Sequence, residues 1–256
     1  MSIRSEIVEF IRDQLRDNDN GVAVIGMSGG KDSTITAALC VEALGSDRVV
    51  GIMMPNGSQI DLADSVAICQ ALGIEHHYIN IGNAYNALSM EVANAICRKD
   101  EQPLGTVWNN DMFTTNTPAR LRMTTLYAVA AFYPGSRVVN TCNRSEDYVG
   151  YSTKYGDAAG DFSPIGDLTV RELLVVGQEY VDEGVLKPEW VYKIPEDGMS
   201  GKSDEEKLGF TYEEEDDYLL NGKDCKTSWD TIKKIERLHK ATRHKYCPMP
   251  MFKKGE

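Results

Sequence analysis

Positive charge is in short supply in this chain. Its 256 residues carry 27 Lys and Arg against 39 Asp and Glu, a formal charge of −12. That deficit argues against a general binder of nucleic acid, which needs a basic face for the phosphate backbone. Closely spaced cysteines are missing as well. Cys40, Cys69, Cys97, Cys142, Cys225 and Cys247 form no short pairs. Their spacing fits neither a zinc site nor the disulfide framework of a small secreted domain, so free and mostly buried thiols are expected. No apolar run approaches the length that spans a bilayer. Residues 1–6 open an amphipathic helix and lack the apolar centre of a signal peptide. These absences together predict a cytoplasmic protein. Internal repeats, low-complexity tracts and clear linkers are lacking too, so residues 1–256 are expected to form one domain. The acid is concentrated at residues 204–206 and 213–217, where a solvated helix face or loop is expected.

The feature that stands out is the turn Ser28-Gly29-Gly30-Lys31-Asp32-Ser33. It follows an apolar strand-like run, residues 22–26, and precedes a helical stretch that begins near residue 34. Strand, glycine turn and helix together aim backbone N–H groups and a helix N-terminus at one spot, which suits an anionic phosphate. A Walker loop requires Gly, four residues and then Gly-Lys-Ser/Thr. Here Gly26 is one position too close and Asp32 follows Gly30-Lys31. The dinucleotide pattern Gly-x-Gly-x-x-Gly fails also. Ser28, Lys31 and Ser33 can donate to phosphate oxygens. Asp32 would repel a phosphate, but it makes sense as a ligand of the Mg²⁺ that accompanies a nucleotide.

Short apolar strands at residues 22–26, 49–54, 76–81 and 138–141 alternate with helical patterns at 3–15, 34–44, 61–72, 85–98, 118–132 and 169–180. This alternation predicts an α/β fold built on a parallel sheet, with ligands at the carboxyl ends of the strands. Asp61 is a plausible helix cap. Residues 99–117 read as a loop, with Pro118 in the first turn of the helix that follows. Arg120 and Arg122 would then sit near a helix N-terminus, an unfavourable place for cations unless an anion is met there. Residues 143–166 read as a long functional loop holding Glu146, Lys154, Asp157 and Asp161. Glu146 lies just past a strand end, on the same rim as Asp32. Two carboxylates from separate strand ends make a reasonable Mg²⁺ site. Residues 195–210 read as another mobile segment, and helices are expected at 212–220 and 228–242.

The first turn resembles the pyrophosphate loop of the N-type ATP pyrophosphatases. The full order narrows this resemblance. Ser-Gly-Gly-x-Asp-Ser is followed by Ala119-Arg120-x-Arg122-Met123, by Thr141 and Glu146, by Gly150-Tyr151-x-Thr153-Lys154-Tyr155-Gly156-Asp157, and by His244-Lys245. Over nearly the whole chain this is similar to the NAD synthetase family. The resemblance implies a Rossmann-like parallel sheet flanked by helices, the N-type ATP pyrophosphatase fold. It implies a ligase that adenylates the carboxylate of deamido-NAD with ATP and then amidates it with ammonia. Gly26, Met27, Ser28, Gly29, Gly30, Lys31, Asp32, Ser33 and Thr141 would bind ATP, and Asp32 and Glu146 would hold Mg²⁺. Arg120, Lys154, Asp161, His244 and Lys245 would bind deamido-NAD. Asp157 is the candidate for binding ammonium or accepting its proton. A homodimer is implied, and the ammonia-dependent form fits a chain without a glutaminase domain. The chain departs from the family pattern twice. Val170 stands where a lysine is common, with Arg171 offered as the substitute. Glu196 stands where Ser or Thr is common, with Ser200, Lys202 and Ser203 as alternatives. Other ATP-pyrophosphatase ligases of amides or thiols, and a non-catalytic ATP-binding module, are the competing readings.

Overall fold

A computed structural model describes residues 2–16, 21–57, 62–97, 107–193 and 204–254. Four parallel strands form one sheet in the order β3-β2-β1-β4, with β1 Ala23–Gly26, β2 Val49–Met53, β3 Glu75–Tyr78 and β4 Arg137–Val139. The described helices are α1 Ile3–Gln14, α2 Lys31–Leu44, α3 Leu62–Ala71, α4 Gly82–Cys97, α5 Asp111–Ala130, α6 Arg144–Val149, α7 Val170–Asp182, α8 Pro188–Val191, α9 Asp204–Leu208, α10 Tyr212–Asn221 and α11 Trp229–Thr242.

Strand periodicity explains the layers. Alternate residues of a strand point to opposite faces. Ala23 and Ile25 of β1 enter the larger core with Ile35 and Leu39 of α2, Ile11 of α1 and Leu173 of α7. Val24, between them, enters a second core with Val50, Ile52 and Val138, against Leu121 and Leu126 of α5. Both faces of β1 are therefore apolar and covered, as a central parallel strand requires. Each fully buried Ile or Leu here contributes about 1.5–3 kcal/mol.

The strand order fixes where a ligand can sit. The chain runs outward from β1 to β2 and β3, then returns to place β4 on the other side of β1. The connections leaving β1 and β4 diverge, opening a crevice at their carboxyl ends. Residues 27–30 and 140–143 lie in it.

Four expectations need correcting. Helix α5 starts at Asp111, where Asn110 caps it by accepting from the Phe113 N–H. Pro118 is therefore inside the helix. Arg120 and Arg122 lie mid-helix, so the argument from an N-terminal cation does not apply. Part of the 143–166 loop is helix α6, started by a capping box between Asn143 and Glu146. The acidic runs are not simply solvated: Asp204, Glu215 and Asp216 are buried. Part of the 195–210 segment is the short helix α9. Asp61, Glu196, Ser200, Lys202 and Ser203 lie outside the described residues.

Candidate active site

The first turn is built around its glycines. Gly29 has φ +81°, a left-handed conformation that costs a residue with a Cβ about 1 kcal/mol or more. Gly30 is the N-cap of α2. Ser28 Oγ accepts the Gly30 N–H at 3.2 Å and lies 3.1 Å from Ser33 Oγ, so both hydroxyls face into the turn. Met27 is buried, and its N–H donates to the Ile52 carbonyl at 2.9 Å, anchoring the turn to β2.

Lys31 is buried, and its Nζ donates to Asp32 Oδ2 at 2.9 Å. Burial alone would depress the Lys31 pKa. Asp32 and Glu146 outweigh it, and the ammonium is held above its ordinary value. Asn143 Nδ2 donates to Asp32 Oδ1 at 2.8 Å, joining the turns after β1 and β4. Burial, then the charge of Asp32, push the Glu146 carboxyl well above the usual range, with Lys31 opposing. Two carboxylates brought together from the turns after β1 and β4 are an oxygen donor set that suits a hard divalent cation. Among the described residues no group of three or more His, Cys, Asp or Glu is arranged for a metal. The pair Asp32 and Glu146 therefore fits Mg²⁺ only if phosphate oxygens and waters complete the shell, as is usual for that ion.

A cavity of about 520 Å³ opens beside Lys31, lined also by Arg171, Asp204, Tyr212 and Asp216 among others. Its size suits a small ligand. Arg171 lines it at the start of α7, with its backbone N–H donating to Asp216 at 2.7 Å. Tyr212 lies over the Lys31 ammonium, 5.9 Å from ring centroid to Nζ. Burial, then Glu146 and Asp204, raise its phenol pKa, so the hydroxyl keeps its proton.

The remaining candidates gather around residues 150–157. Asp157 Oδ1 accepts the Thr153 N–H at 2.8 Å, and the Asp157 carbonyl accepts from Asn140 Nδ2 at 2.8 Å. Burial raises the Asp157 pKa, with Lys245 among the opposing influences. Its neighbour Asp147 is pushed to about 6 by burial and by Asp157. Thr141 lies half-buried just after β4. Arg120 Nε donates to the Lys154 carbonyl at 3.2 Å, Lys154 Nζ to the His244 carbonyl at 2.6 Å, and Lys245 Nζ to the Gly150 and Ser152 carbonyls at 2.6 and 2.8 Å. Asp161 stands apart from this group. Its carboxylate accepts from the Val138 N–H at 2.7 Å and from the Tyr127 hydroxyl at 3.2 Å, fastening its segment to the outer edge of β4.

Sequence reasoning missed Asn143, Asp204 and Tyr212 as parts of this site. Asn143 carried a readable signal, because Asn-x-x-Glu is a capping pattern and it falls directly after a strand end. Asn143→Ala removes both a cap and the donor to Asp32. A lost hydrogen bond to a charged group is worth roughly 1.5–3 kcal/mol. The expected result is a loss of stability of that order, measured as a lower midpoint of denaturant unfolding at unchanged slope.

A sequence model of the NAD synthase family matches residues 3–249. The chain belongs to the NAD synthase family. An NH3-dependent NAD+ synthetase of Alkaliphilus metalliredigens is 35% identical over 248 residues, 96% of this chain and 95% of the relative. A solved NMN synthetase from Francisella tularensis superposes with a TM-score of 0.80 at 30% identity, covering 98% of each chain. An NH3-dependent NAD synthetase from Campylobacter jejuni gives 0.72 at 25% identity, again over 98% of each chain. This places the parallel sheet and its helices within the fold of NAD synthases. Among the described residues no helix is long and apolar enough to cross a membrane.

Proposed function

We propose that this member of the NAD synthase family is an ammonia-dependent ligase that activates the carboxylate of deamido-NAD with ATP and converts it to the amide. The observation that carries the reading is the junction of Lys31, Asp32, Asn143 and Glu146 at the switch point of the sheet. It faces the turn that cradles phosphate.

A carboxylate resists nucleophiles because it is already negative. Transfer of AMP to one of its oxygens forms a mixed anhydride and releases pyrophosphate. Ammonia then attacks the carbonyl carbon, and the C–O bond to AMP breaks. The protein's work is positioning and charge neutralisation. The N–H groups of the 28–33 turn, Ser28, Ser33 and the Lys31 ammonium bind the departing pyrophosphate. Thr141 and Arg171 meet ATP. Asp32 and Glu146 hold Mg²⁺, which when bound neutralises charge on the phosphates. Arg120, Lys154, His244 and Lys245 form the pyridine-nucleotide side, with Asp161 at its outer limit. Asp157, between the β4 end and this loop, accepts the proton that ammonium must lose. Exposed apolar side chains on α4 (Leu88, Met90, Ile96) and α5 (Met112, Tyr127) support pairing with a second copy of the chain across these helices.

The likeness to the Francisella enzyme favours a second reading, the same amidation carried out on nicotinic acid mononucleotide. Parallel assays with each acid decide between them. We expect ammonia-dependent pyrophosphate release with deamido-NAD at a kcat/KM above that with the mononucleotide. The reverse order would select the mononucleotide, and release that ignores both acids would remove the ligase reading.

A further inference from the structure

The C-terminal segment makes contacts that substrate binding alone does not explain. After α11 the chain forms a 3-10 turn, Arg243–Lys245, ending at Tyr246. The His239 ring stacks on Tyr148 of α6 at 4.0 Å between centroids and 15° between planes, and on Tyr246 at 5.7 Å and 26°. His239 Nδ1 lies 2.9 Å from the Tyr148 carbonyl, which can only accept, so this nitrogen carries the proton. The Tyr246 hydroxyl is 2.8 Å from the same Nδ1 and donates to the His239 carbonyl at 3.2 Å. Glu236 Oε1 receives the Tyr148 hydroxyl at 2.7 Å. Helix α11 and the turn after it are thus joined to α6, the helix that bears Glu146.

The same turn reaches the loop after α6. Lys245 Nζ is committed to two loop carbonyls, and Lys154 Nζ to the His244 carbonyl. Burial lowers the Lys245 pKa, with Asp157 opposing. Gly150 sits against α11 so closely that a Cβ there would lie 2.2 Å from Thr242 Cβ, and its φ is +66°. The loop holding Lys154 and Asp157 is therefore gripped from the C-terminal side at several points.

We infer that the C-terminal turn is a latch on residues 150–157, with His239 and Tyr246 as positioning residues that set the affinity for the acid substrate. The latch rests on the reading that this loop meets the pyridine nucleotide. None of the contacts above is with the 28–33 turn, and Glu146, which shares α6 with Tyr148, is held separately by its capping box with Asn143, so the effect should fall on the acid substrate far more than on ATP.

The test uses the full chain and the variants Tyr246→Ala, Tyr246→Phe and His239→Asn. Hydrogen exchange of the 150–157 amides reads the latch itself. Exchange about tenfold faster in Tyr246→Ala is expected, with thermal midpoints close to the parent's. KM values read the consequence. In Tyr246→Ala the KM for deamido-NAD should rise about fivefold or more while that for ATP stays within about twofold, a change of roughly 1 kcal/mol at one site only. Tyr246→Phe keeps the stacked ring and should restore most of the affinity. If Tyr246→Ala does not fold, the same split must appear in His239→Asn. Unchanged exchange, or both KM values rising together, overturns the latch. Faster exchange in a protein that turns over no acid nucleotide refutes the functional reading and leaves the latch standing.

Discussion

Asp32→Asn should abolish deamido-NAD-driven exchange of pyrophosphate into ATP and leave the fold intact. Asp32 has two engaged oxygens, one facing Lys31 and one facing Asn143. Asn preserves the shape and one acceptor, so the backbone has no reason to move. What disappears is the charge that balances Lys31 and shares a cation with Glu146. Loss of a single stabilising group at a developing charge costs about 10²–10³ in rate, and loss of the metal's ligand adds to it. The expected kcat is lower by about 10³ or more, with a circular dichroism spectrum unchanged. Activity within tenfold of the parent would show that Asp32 holds no metal.

Glu215→Leu should make the protein more stable at alkaline pH. Glu215 of α10 is fully buried, and neither carboxyl oxygen has a hydrogen-bond partner among the described residues. Burial, then Asp216, push its pKa to about 9. In the unfolded chain it returns to the ordinary carboxylate range, near 4.5. The sign follows from linkage. The folded state binds the proton more tightly, so its stability relative to the unfolded chain is greatest below the unfolded value. It falls as pH rises from about 4.5 toward 9, by up to about 1.4 kcal/mol per pH unit. Leucine has no proton to lose and no polar atom to leave unpaired. At pH 8 a gain on the order of a few kcal/mol is expected, or roughly 5–10 °C in midpoint for a chain of this size. The gain should shrink toward pH 5. Parallel curves for parent and variant across that range would mean that the carboxyl is solvated or paired in solution.

The sheet and the Gly29-Gly30 turn were legible because each rests on local patterning. The alternation of Val24 with Ala23 and Ile25, and the Gly29-Gly30 pair before Lys31, declare themselves within a few residues. The approach of the turns after β1 and β4 was legible from topology, since Asp32 and Glu146 each follow a strand end. What failed was judged by composition. Asp204, Glu215 and Asp216 lie in acidic runs, and nothing local says that α9 turns Asp204 inward or that α10 does the same with Glu215 and Asp216. The start of α5 was misplaced because Pro118 reads as a first-turn residue, whereas the Asn110 cap begins the helix earlier. The C-terminal latch depends on a rotation that brings Tyr246 back onto His239 and Tyr148, a tertiary contact invisible to sequence spacing. Arg171 was expected at the nucleotide in place of a lysine at position 170, and it lines the cavity beside Lys31.

The proposed reaction requires that ATP be cleaved between its α- and β-phosphates only when an acid nucleotide accepts the AMP. Pyrophosphate release from ATP, with deamido-NAD and ammonium added singly and together, tests it most directly. The account predicts sustained release only with both present, with AMP and the amide forming in equal amounts. Release of orthophosphate, or pyrophosphate release indifferent to deamido-NAD, would contradict it.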